Sequence, residues 1–426
     1  MAFSRLISRA ALALLFLIAP PVSPGASVFK PGDVLTICGD SITAQGVYSV
    51  FVEDYILMCQ PVGGIRTIQC GWGGTTASHL ADHMKEGALT FSPTVATVYY
   101  GMNDGEMSPP SPENEAHYRE GLSKVIDNFQ RGGTRTVIVG SPGAVDSFYF
   151  KGHNATAEVY NHQTLQRLAD IAKQVAAAKG MPFADLHTPM METMAKAKAA
   201  RGDKFAVFGE ADGIHATPNG HLVMAYAFLK AMGFDGNIGT ITYDAGSGNA
   251  EATEGHRLVS SKNGEVTIES MRYPYCFTHG DNHPFGPTPS ILPYLSFNDE
   301  LNRYMLVVKN LKSAKAKITW GKESKEFTAA QLEKGINLAA EFLDNPFAPA
   351  FAEVDKAVTA KCDFEVLEVT TYMGKTLPDI VPILPASTAS FKALDAGFRE
   401  INGELQEACA SAVKPVTHTI KIEPLN

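Results

Sequence analysis

Residues 36–46 read TICGDSITAQG and place Ser41 directly after a short apolar segment. The apolar residues of Asp33–Cys38 predict a buried strand, and the glycine and polar residues that follow are typical of a turn at a strand end. Ser41 is therefore either the polar end of a strand or a nucleophile. A serine nucleophile needs a base, an acid that orients the base, and hydrogen-bond donors for a developing oxyanion. The second interpretation therefore requires these groups elsewhere in the chain, in a consistent order.

Up to about residue 235, short apolar segments alternate with segments of helical periodicity. One helix is predicted to begin at Ser111-Pro112, a second to end at Gly180 and a third to follow Thr217-Pro218. Uninterrupted apolar strands that alternate with helices predict a parallel sheet covered by helices on both faces. Besides Asp33–Cys38, the predicted strands are Ile65–Cys70, Val95–Tyr100, Thr136–Gly140 and Pro182–Leu186.

After about residue 237 the pattern changes to strands without helices between them. Two amphipathic helical segments follow, and a strand-like segment at residues 418–424 ends the pattern. This order predicts a β-rich module with a helical pair and a returning strand. We expect a first domain over residues 27–236 and a C-terminal module over residues 237–426. The predicted strands of the module are Ile238–Tyr243, His256–Ser261, Glu265–Tyr273, Tyr304–Lys309 and Lys317–Trp320.

The first 26 residues have the order of a secretory signal. Arg5 and Arg9 precede the apolar run Ala10–Ala19, and small residues follow near Gly25 and Ala26. The run is short for a bilayer span, and the alternatives are an uncleaved anchor or a buried first helix. We expect cleavage near residue 26 and a secreted or periplasmic protein.

Composition limits the classes of partner. The chain has 426 residues, a net charge of −9 and no dense cluster of lysine and arginine, which argues against nucleic-acid binding. No later segment has transmembrane length, so integral membrane association is not expected. The six cysteines show no metal-ligand spacing. A buried free thiol is expected at Cys38, and one disulfide among the other cysteines is left open.

The segment just before the third predicted helix contains a candidate base and a candidate orienting acid for a serine nucleophile. An imidazole can accept the proton of a serine hydroxyl at neutral pH, so His215 is a candidate base. Asp212 lies on the same turn and can accept the Nδ1 proton of His215, which fixes the tautomer of the imidazole. Ser41, His215 and Asp212 are thus the predicted nucleophile, base and orienting acid.

Donors for an oxyanion follow two other predicted strands. Gly74 lies in GWGGTT after the second strand, and Asn103 lies in YYGMND after the third. The carboxyl ends of parallel strands meet at one edge of a sheet, so both are expected near Ser41. The predicted donors are the main-chain N–H groups of Ser41 and Gly74 and the side-chain amide of Asn103. Each motif alone is typical of an ordinary turn, and their joint occurrence favours a catalytic site.

The segments TICGDSIT, GWGGTT, YYGMND and DGIHATPNGH resemble the four motif blocks of the SGNH/GDSL hydrolase superfamily, over about residues 31–235. The resemblance implies an α/β fold, a flavodoxin-like three-layer α/β/α sandwich with a five-stranded parallel sheet. It also implies serine esterase or lipase chemistry without a metal or other cofactor, with the roles already given for the five site residues. The chain departs from the pattern at Ile42, where leucine is common. Gln69-Cys70-Gly71 stands where asparagine is frequent, which bears on the support of Gly74.

Three further features are candidate parts of the substrate site. Trp72 and Asp40 are candidate substrate contacts. The structural alternatives are packing for Trp72 and stabilisation of the Ser41 turn for Asp40. Phe148-Tyr149-Phe150 follows the fourth strand and lines either the same cleft or the core.

Other histidines have structural interpretations. His279, Asp281 and His283 form an H-x-D-x-H pattern that is more typical of a polar loop than of a metal site. His187 is expected to be a hydrogen-bonded core residue. His221 lies too far along its helix to compete with His215 as the base.

The sequence predicts an exported serine hydrolase that cleaves carboxylic esters through an acyl-enzyme. The resemblance to SGNH/GDSL hydrolases implies an acetylated carbohydrate as the substrate. The partner is thus a small-molecule or polysaccharide ester. The alternatives are a lipase or thioesterase, an O-acyltransferase with the same site, and a non-catalytic carbohydrate-binding protein.

Overall fold

The computed structural model describes residues 27–152, 154–209, 212–277, 288–376, 380 and 388–425. The signal-like segment over residues 1–26 lies outside the described residues, as does the H-x-D-x-H pattern of His279, Asp281 and His283. Among the helices within these ranges, none combines the length and apolar character needed to cross a membrane.

A parallel five-stranded sheet forms the centre of the first half of the chain. Its strands are β1 (Val34–Gly39), β2 (Arg66–Gly71), β3 (Val95–Tyr99), β4 (Thr136–Gly140) and β5 (Phe183–Ala184). They are arranged in the order β2-β1-β3-β4-β5, which is the flavodoxin-like order. The expected fold class is confirmed.

Strand β5 is shorter than the predicted Pro182–Leu186. It pairs with β4 only through Phe183 and Ala184. The N–H groups of Leu186 and His187 then donate to Ser141 Oγ, at 2.9 and 3.0 Å, instead of continuing the strand ladder. A serine hydroxyl thus ends the strand and turns the chain into the next helix.

Eight helices accompany this sheet in the described ranges, and apolar clusters fill both of its faces. Two predicted helix ends are present, because Ser111 Oγ accepts from the N–H of Asn114 and Gly180 ends its helix at φ +65°. The helix after β5 was not predicted. The helices are α1 (Ser41–Ala44), α2 (Val47–Asp54), α3 (Ala77–His83), α4 (Pro112–Arg131), α5 (Ala157–Val159), α6 (Gln166–Lys179), α7 (His187–Arg201) and α8 (Pro218–Ala231).

The C-terminal half contains two sheets. Its strands are β6 (Asn237–Asp244), β7 (Ala250–Ala252), β8 (His256–Lys262), β9 (Glu265–Ser270), β10 (Arg303–Lys309), β11 (Lys315–Trp320), β12 (Glu323–Thr328), β13 (Ile336–Asn337) and β14 (Val416–Leu425). One sheet has the order β13-β10-β6-β7 and the other β12-β11-β14-β9-β8. The returning strand β14 is confirmed and lies in the middle of its sheet. The short strands β7, β12 and β13 were not predicted.

The helices of this half follow the strands closely. They are α9 (Phe297–Glu300), α10 (Ala329–Lys334), α11 (Leu338–Glu341), α12 (Ala348–Val366) and α13 (Thr388–Ala412). The segment Leu367–Thr376 continues α12 as a π-helix. Helices α12 and α13 are the predicted helical pair, and they pack against each other. The β-rich module with a helical pair is confirmed, whereas the boundary at residues 236 and 237 stays a prediction.

A buried polar network occupies the core between the two C-terminal sheets. His418 Nδ1 accepts from the indole N–H of Trp320 at 3.1 Å, so the imidazole proton is on Nε2. That atom lies 3.1 Å from Ser270 Oγ and 3.0 Å from the hydroxyl of Tyr304. Ser270 Oγ is also 2.9 Å from Nδ1 of His256, whose Nε2 donates to a backbone carbonyl oxygen. The imidazole of His418 is therefore neutral, and its tautomer is set by fixed neighbours.

All six cysteines lie within the described residues, and all are buried free thiols. The prediction for Cys38 is confirmed. Cys38 lies opposite Cys70 in the register of β1 and β2, but the two are not bridged. The disulfide that the sequence left open is absent from the structure.

Candidate active site

Ser41 begins α1, directly after β1, and is half-buried. Asp40 caps this helix, because its Oδ1 accepts from the N–H of Ile42 at 2.9 Å. Only glycine fits at position 39, because a Cβ there would lie 1.9 Å from Thr43 Oγ1. The sequence Gly-Asp-Ser thus forms a tight strand–turn–helix connection that presents the serine hydroxyl at the carboxyl edge of the sheet.

His215 and Asp212 complete a hydrogen-bonded chain with Ser41. His215 Nε2 lies 2.9 Å from Ser41 Oγ, and His215 Nδ1 lies 2.7 Å from Asp212 Oδ2. Because an aspartate oxygen faces Nδ1, the proton belongs there and Nε2 is free to accept from the serine. The structure brings together three side chains that are separated by up to 174 positions in sequence.

The carboxylate of Asp212 is held in its charged form. Burial raises the pKa of this group, but hydrogen bonds from the main chain of Ile214 and from His215 outweigh it and lower the pKa. Asp212 Oδ1 accepts from the N–H groups of Ile214 and His215, at 2.7 and 3.1 Å. A negative charge at this position stabilises an imidazolium on His215.

The loop over residues 146–150 packs against the loop that carries Asp212 and His215. Gly213 has φ +69°, and a Cβ on it would lie 2.3 Å from the nitrogen of Phe150. The N–H of Asp146 donates to the carbonyl oxygen of Gly213 at 2.7 Å. Asp146 in turn forms a buried ion pair with Lys198 at 2.8 Å. Sequence analysis did not identify Asp146 or Lys198, because each looks like an ordinary surface charge until the fold buries it.

The aromatic segment Phe148-Tyr149-Phe150 belongs to this supporting loop. Asp146 Oδ1 accepts from the N–H groups of Phe148 and Tyr149, and Phe150 packs against Tyr160 with ring centroids 5.6 Å apart. Phe148 keeps 49% of its surface exposed. The segment therefore combines a packing role at Phe150 with an exposed apolar ring at Phe148.

The candidate oxyanion donors lie on the turns after β2 and β3. Gly74 has φ +75° with open space around it, so backbone conformation rather than packing favours glycine there. A Cβ on the preceding Gly73 would lie 3.8 Å from the Cβ of Ser41, which places this turn beside the serine. Asn103 Nδ2 donates to the carbonyl oxygen of Thr75 at 2.9 Å. An amide carries two N–H bonds, so this contact anchors Asn103 and leaves a second donor on the same atom.

Asp104 joins these two turns and was missed by sequence analysis. Its Oδ1 accepts from the N–H of Ala77 at 3.1 Å, and its Oδ2 accepts from the N–H of Gly101 at 3.0 Å. Burial raises its pKa to about 6, although the main-chain hydrogen bonds oppose this. The available signal was its position directly after Asn103 in YYGMND.

Asp40 does not face a substrate. Its side chain is 0% exposed, and burial together with the neighbouring Asp104 raises its pKa to about 7. This corrects the expectation of a substrate contact, because the carboxyl group caps α1 beneath the serine. The structural alternative for Asp40 is the one observed.

Trp72 is half-buried and packed on two sides. Its ring lies edge-on to His79 with centroids 4.7 Å apart, and His79 stacks on His83 at 4.2 Å. A Cβ on Gly374 would lie 3.0 Å from the indole, so the C-terminal segment covers the other side. These contacts agree with the packing alternative.

His187 and His221 are part of the core. His187 is buried and its Nδ1 lies 2.7 Å from the carbonyl oxygen of Gly143, as expected. His221 is also buried and stacks on Tyr48 with centroids 6.1 Å apart. Across the ranges that the structure describes, no group of three histidine, cysteine, aspartate or glutamate side chains is arranged to hold a metal ion.

A polar groove with a volume of about 340 Å³ begins at Asn103. It runs between the start of α3 and the first turns of α4. Hydroxyl, amide, carboxylate and imidazole groups line it, contributed by Thr76, Ser78, Asn103, Asp104, Glu106, Asn114 and His117. Such a lining suits a ligand with several hydroxyl groups better than an aliphatic chain.

Comparison with known sequences gives two matches. A sequence model of the GDSL-like lipase/acylhydrolase family matches residues 37–223. An acetylxylan esterase of Geobacillus stearothermophilus is 22% identical over 227 residues, which cover 50% of this chain and 97% of that protein. The family model falls on the half of the chain that carries the four motifs.

Comparison with solved structures extends the fold over nearly the whole chain. A gut microbial diltiazem-metabolizing enzyme aligns with a TM-score of 0.73 at 21% identity, covering 94% of this chain and 99% of that one. An acetylxylan esterase from Geobacillus stearothermophilus aligns with a TM-score of 0.38 at 19% identity, covering 48% and 96%. The first of these shows that the combination of the parallel sheet with the C-terminal sheets recurs in another protein.

Proposed function

Because residues 37–223 place this chain in the SGNH/GDSL hydrolase superfamily, as an ester-hydrolysing enzyme, we propose that it cleaves carboxylic esters through an acyl-enzyme on Ser41. The observation that carries the proposal is the chain of hydrogen bonds from Ser41 Oγ through His215 to Asp212. This arrangement supplies a nucleophile, a base in the correct tautomer and a charge that stabilises the protonated base.

In the first step His215 Nε2 takes the proton of Ser41 as Oγ attacks the ester carbonyl carbon. The tetrahedral intermediate carries its charge on the former carbonyl oxygen, which accepts from the N–H groups of Ser41 and Gly74 and the amide of Asn103. Collapse breaks the ester bond, and His215 gives its proton to the departing alcohol. Water then attacks the acyl-enzyme by the same route, with His215 again as base.

We propose that the alcohol part of the ester is polar and carries several hydroxyl groups. The proposed substrate class is thus an acetylated carbohydrate. The polar lining of the groove that begins at Asn103 supports this choice. The similarity to an acetylxylan esterase supports an acetyl group as the acyl part. The signal-like order of residues 1–26 supports export, where such polymers are met.

The outward face of the five-stranded C-terminal sheet argues against a purely carbohydrate-binding role. Sugar-binding platforms stack pyranose rings on exposed aromatic side chains. The outward positions of β9, β11 and β14 hold Glu, Thr and Lys, and a leucine at residue 425. They carry the ion pair of Lys317 and Glu423 and a hydrogen bond between Thr267 and Thr419. None of the outward residues on these three strands is aromatic.

The first test is hydrolysis of the p-nitrophenyl esters of acetate, butyrate and octanoate by the protein without residues 1–26. We expect the acetate to be the best substrate and Ser41→Ala to lower kcat by roughly 10⁶-fold. Release of acetate from acetylated xylooligosaccharides then tests the carbohydrate. Faster turnover of octanoate favours a lipase or thioesterase, whereas full activity in Ser41→Ala contradicts the proposal.

A further inference from the structure

Strand β2 is at the edge of the central sheet, so one row of its backbone groups has no strand partner. The C-terminal helices α12 and α13 and the Leu367–Thr376 segment supply side chains in place of that strand. The pairs are Thr67 N–H with Gln406 Oε1 (3.3 Å), Thr67 O with Lys361 Nζ (2.6 Å), Gln69 N–H with Glu365 Oε2 (2.9 Å) and Gly71 O with Thr370 Oγ1 (2.8 Å). Donors and acceptors alternate as they do along a sheet ladder.

A buried ion cluster fixes the position of α12 on this edge. Lys361 is 0% exposed, and its Nζ lies 2.7 Å from Glu365 and 3.0 Å from Glu53 of α2. Separating a buried ammonium group from one of its carboxylate partners strongly destabilises the folded protein. Helix α12 therefore has little freedom to slide along β2. Helix α12 is therefore held to β2 and α2 at once.

The contact between Thr370 and Gly71 lies at the start of the turn after β2, which carries the candidate oxyanion donor Gly74. Thr370 donates to Gly71, the final residue of β2, and the chain then passes through Trp72 to Gly74. On the other side the N–H of Trp72 donates to the carbonyl oxygen of Gly39 at 2.9 Å, and the Trp72 ring rests on Gly374. The residues directly before the turn are thus clamped between β1 and the C-terminal segment.

A second path leads from α12 to the helix of the nucleophile. Gln69, whose N–H binds Glu365, donates its side-chain amide to the carbonyl oxygen of Thr43 at 2.6 Å. Thr43 is in α1, which Ser41 begins. At the end of α1, a Cβ on Gly46 would lie 2.8 Å from Cys362 Sγ, so α12 approaches this backbone directly.

We propose that Thr370 is a positioning residue for ester hydrolysis, and that it acts through Gly71 on the turn that carries Gly74. The inference rests on the proposed function. Oxyanion donors act only when they lie within hydrogen-bonding distance of the developing charge. A turn with two glycines is too permissive to hold such a position by itself. The anchors at its start therefore act together with the contacts of Thr75 and Ala77 at its end to fix where the Gly74 N–H points.

The test compares three variants of the full protein on p-nitrophenyl acetate. Thr370→Val keeps the shape and removes the hydroxyl, Thr370→Ser restores it, and Thr371→Val is the matched control because its side chain is exposed. We expect Thr370→Val to lower kcat about 10-fold with KM nearly unchanged, since only the transition state needs the aligned donor. Thr370→Ser and Thr371→Val should behave like the wild type. Wild-type kcat in Thr370→Val, even with a lowered Tm, would overturn the proposal.

Hydrogen exchange of the peptide over residues 69–77 gives a readout that does not depend on activity. We expect faster exchange in Thr370→Val than in the wild type and in Thr371→Val. Equal exchange in all three proteins contradicts the anchoring. A wild-type protein that hydrolyses no ester contradicts the proposed function alone, because exchange still decides whether Thr370 fixes the turn.

Discussion

At the scale of the residue, Asp104 joins the two turns that carry the candidate oxyanion donors. Each of its oxygens accepts one backbone N–H, from Ala77 on one side and Gly101 on the other. Asparagine has nearly the same shape but only one acceptor oxygen, so one of these amides would face an NH₂ group. The two turns would then separate slightly without loss of the side chain that fills the space.

We therefore expect Asp104→Asn to lower kcat by about 10-fold and to leave KM within twofold, because alignment of donors matters most in the transition state. Steady-state kinetics on an acetate ester measure this. Asp170→Asn, at an exposed position on α6, is the control and should have no effect. A rise in KM with unchanged kcat would mean that Asp104 shapes binding rather than the alignment of the donors.

At the scale of the element, the loop of His215 depends on close approach of two backbones. Gly213 has φ +69°, and a Cβ on it would come within 2.3 Å of Phe150. An alanine there adds a clash with backbone to the strain of a left-handed conformation, which alone costs about 1–2 kcal/mol. The loop would have to move, and His215 with it.

We expect Gly213→Ala to lower the free energy of unfolding by more than about 2 kcal/mol and to abolish most esterase activity. Denaturant titration and an ester assay measure the two effects. Gly180→Ala is the matched control, because Gly180 has φ +65° at the end of α6 but nothing within 4 Å of a Cβ. That variant should lose only about 1 kcal/mol and keep full activity; equal losses in both variants would contradict the argument from close approach.

The difference between predicted and observed elements has a physical cause. The strand ends at Ser41, Gly74 and Asn103 were predictable, because each is a local pattern of apolar residues followed by a turn. The early end of β5 at Ala184 was not predictable, because it depends on Ser141, whose Oγ accepts from the N–H groups of Leu186 and His187. Such a contact between distant residues leaves no periodic signal in the sequence.

The same limit applies to the edge of β2. Lys361 and Thr67 are 294 positions apart and meet only in the folded chain. A lysine in an amphipathic helix ordinarily predicts a solvated face, and nothing in its neighbourhood indicates complete burial. The four motifs therefore predict the chemistry of the candidate site, whereas its support from the C-terminal half becomes visible only in the structure.

At the scale of the whole molecule, the buried imidazoles make stability depend on pH. Burial lowers the pKa of His418 from its usual 6.5 to about 3, and burial also lowers the pKa of His256. The unfolded chain binds a proton at His418 near pH 6.5, and the folded protein binds it only near pH 3. Between these limits the unfolded state holds one more proton at His418, so this group makes acid favour unfolding, and His256 acts in the same direction.

As the pH drops from 6.5 toward 3, we expect the free energy of unfolding of the wild type to fall relative to that of His418→Gln, by up to about 1.4 kcal/mol per pH unit. Denaturant titrations at a series of pH values measure the slope. His418→Gln removes this titrating group. The slopes of unfolding free energy against pH should therefore differ between the two proteins by about 1.4 kcal/mol per pH unit, which corresponds to one proton. Parallel curves for the two proteins would show that other groups govern the acid transition.

Strand β14 lies between β9 and β11, in the middle of its sheet. The pairs β8-β9 and β11-β12 are hairpins of neighbouring strands, whereas β14 meets β9 across 152 positions, from Thr267 to Thr419. Pairing over such a separation carries a larger loop-closure entropy than a hairpin does. We therefore expect the two hairpins to form first, and insertion of β14 between them to be a slow step in folding.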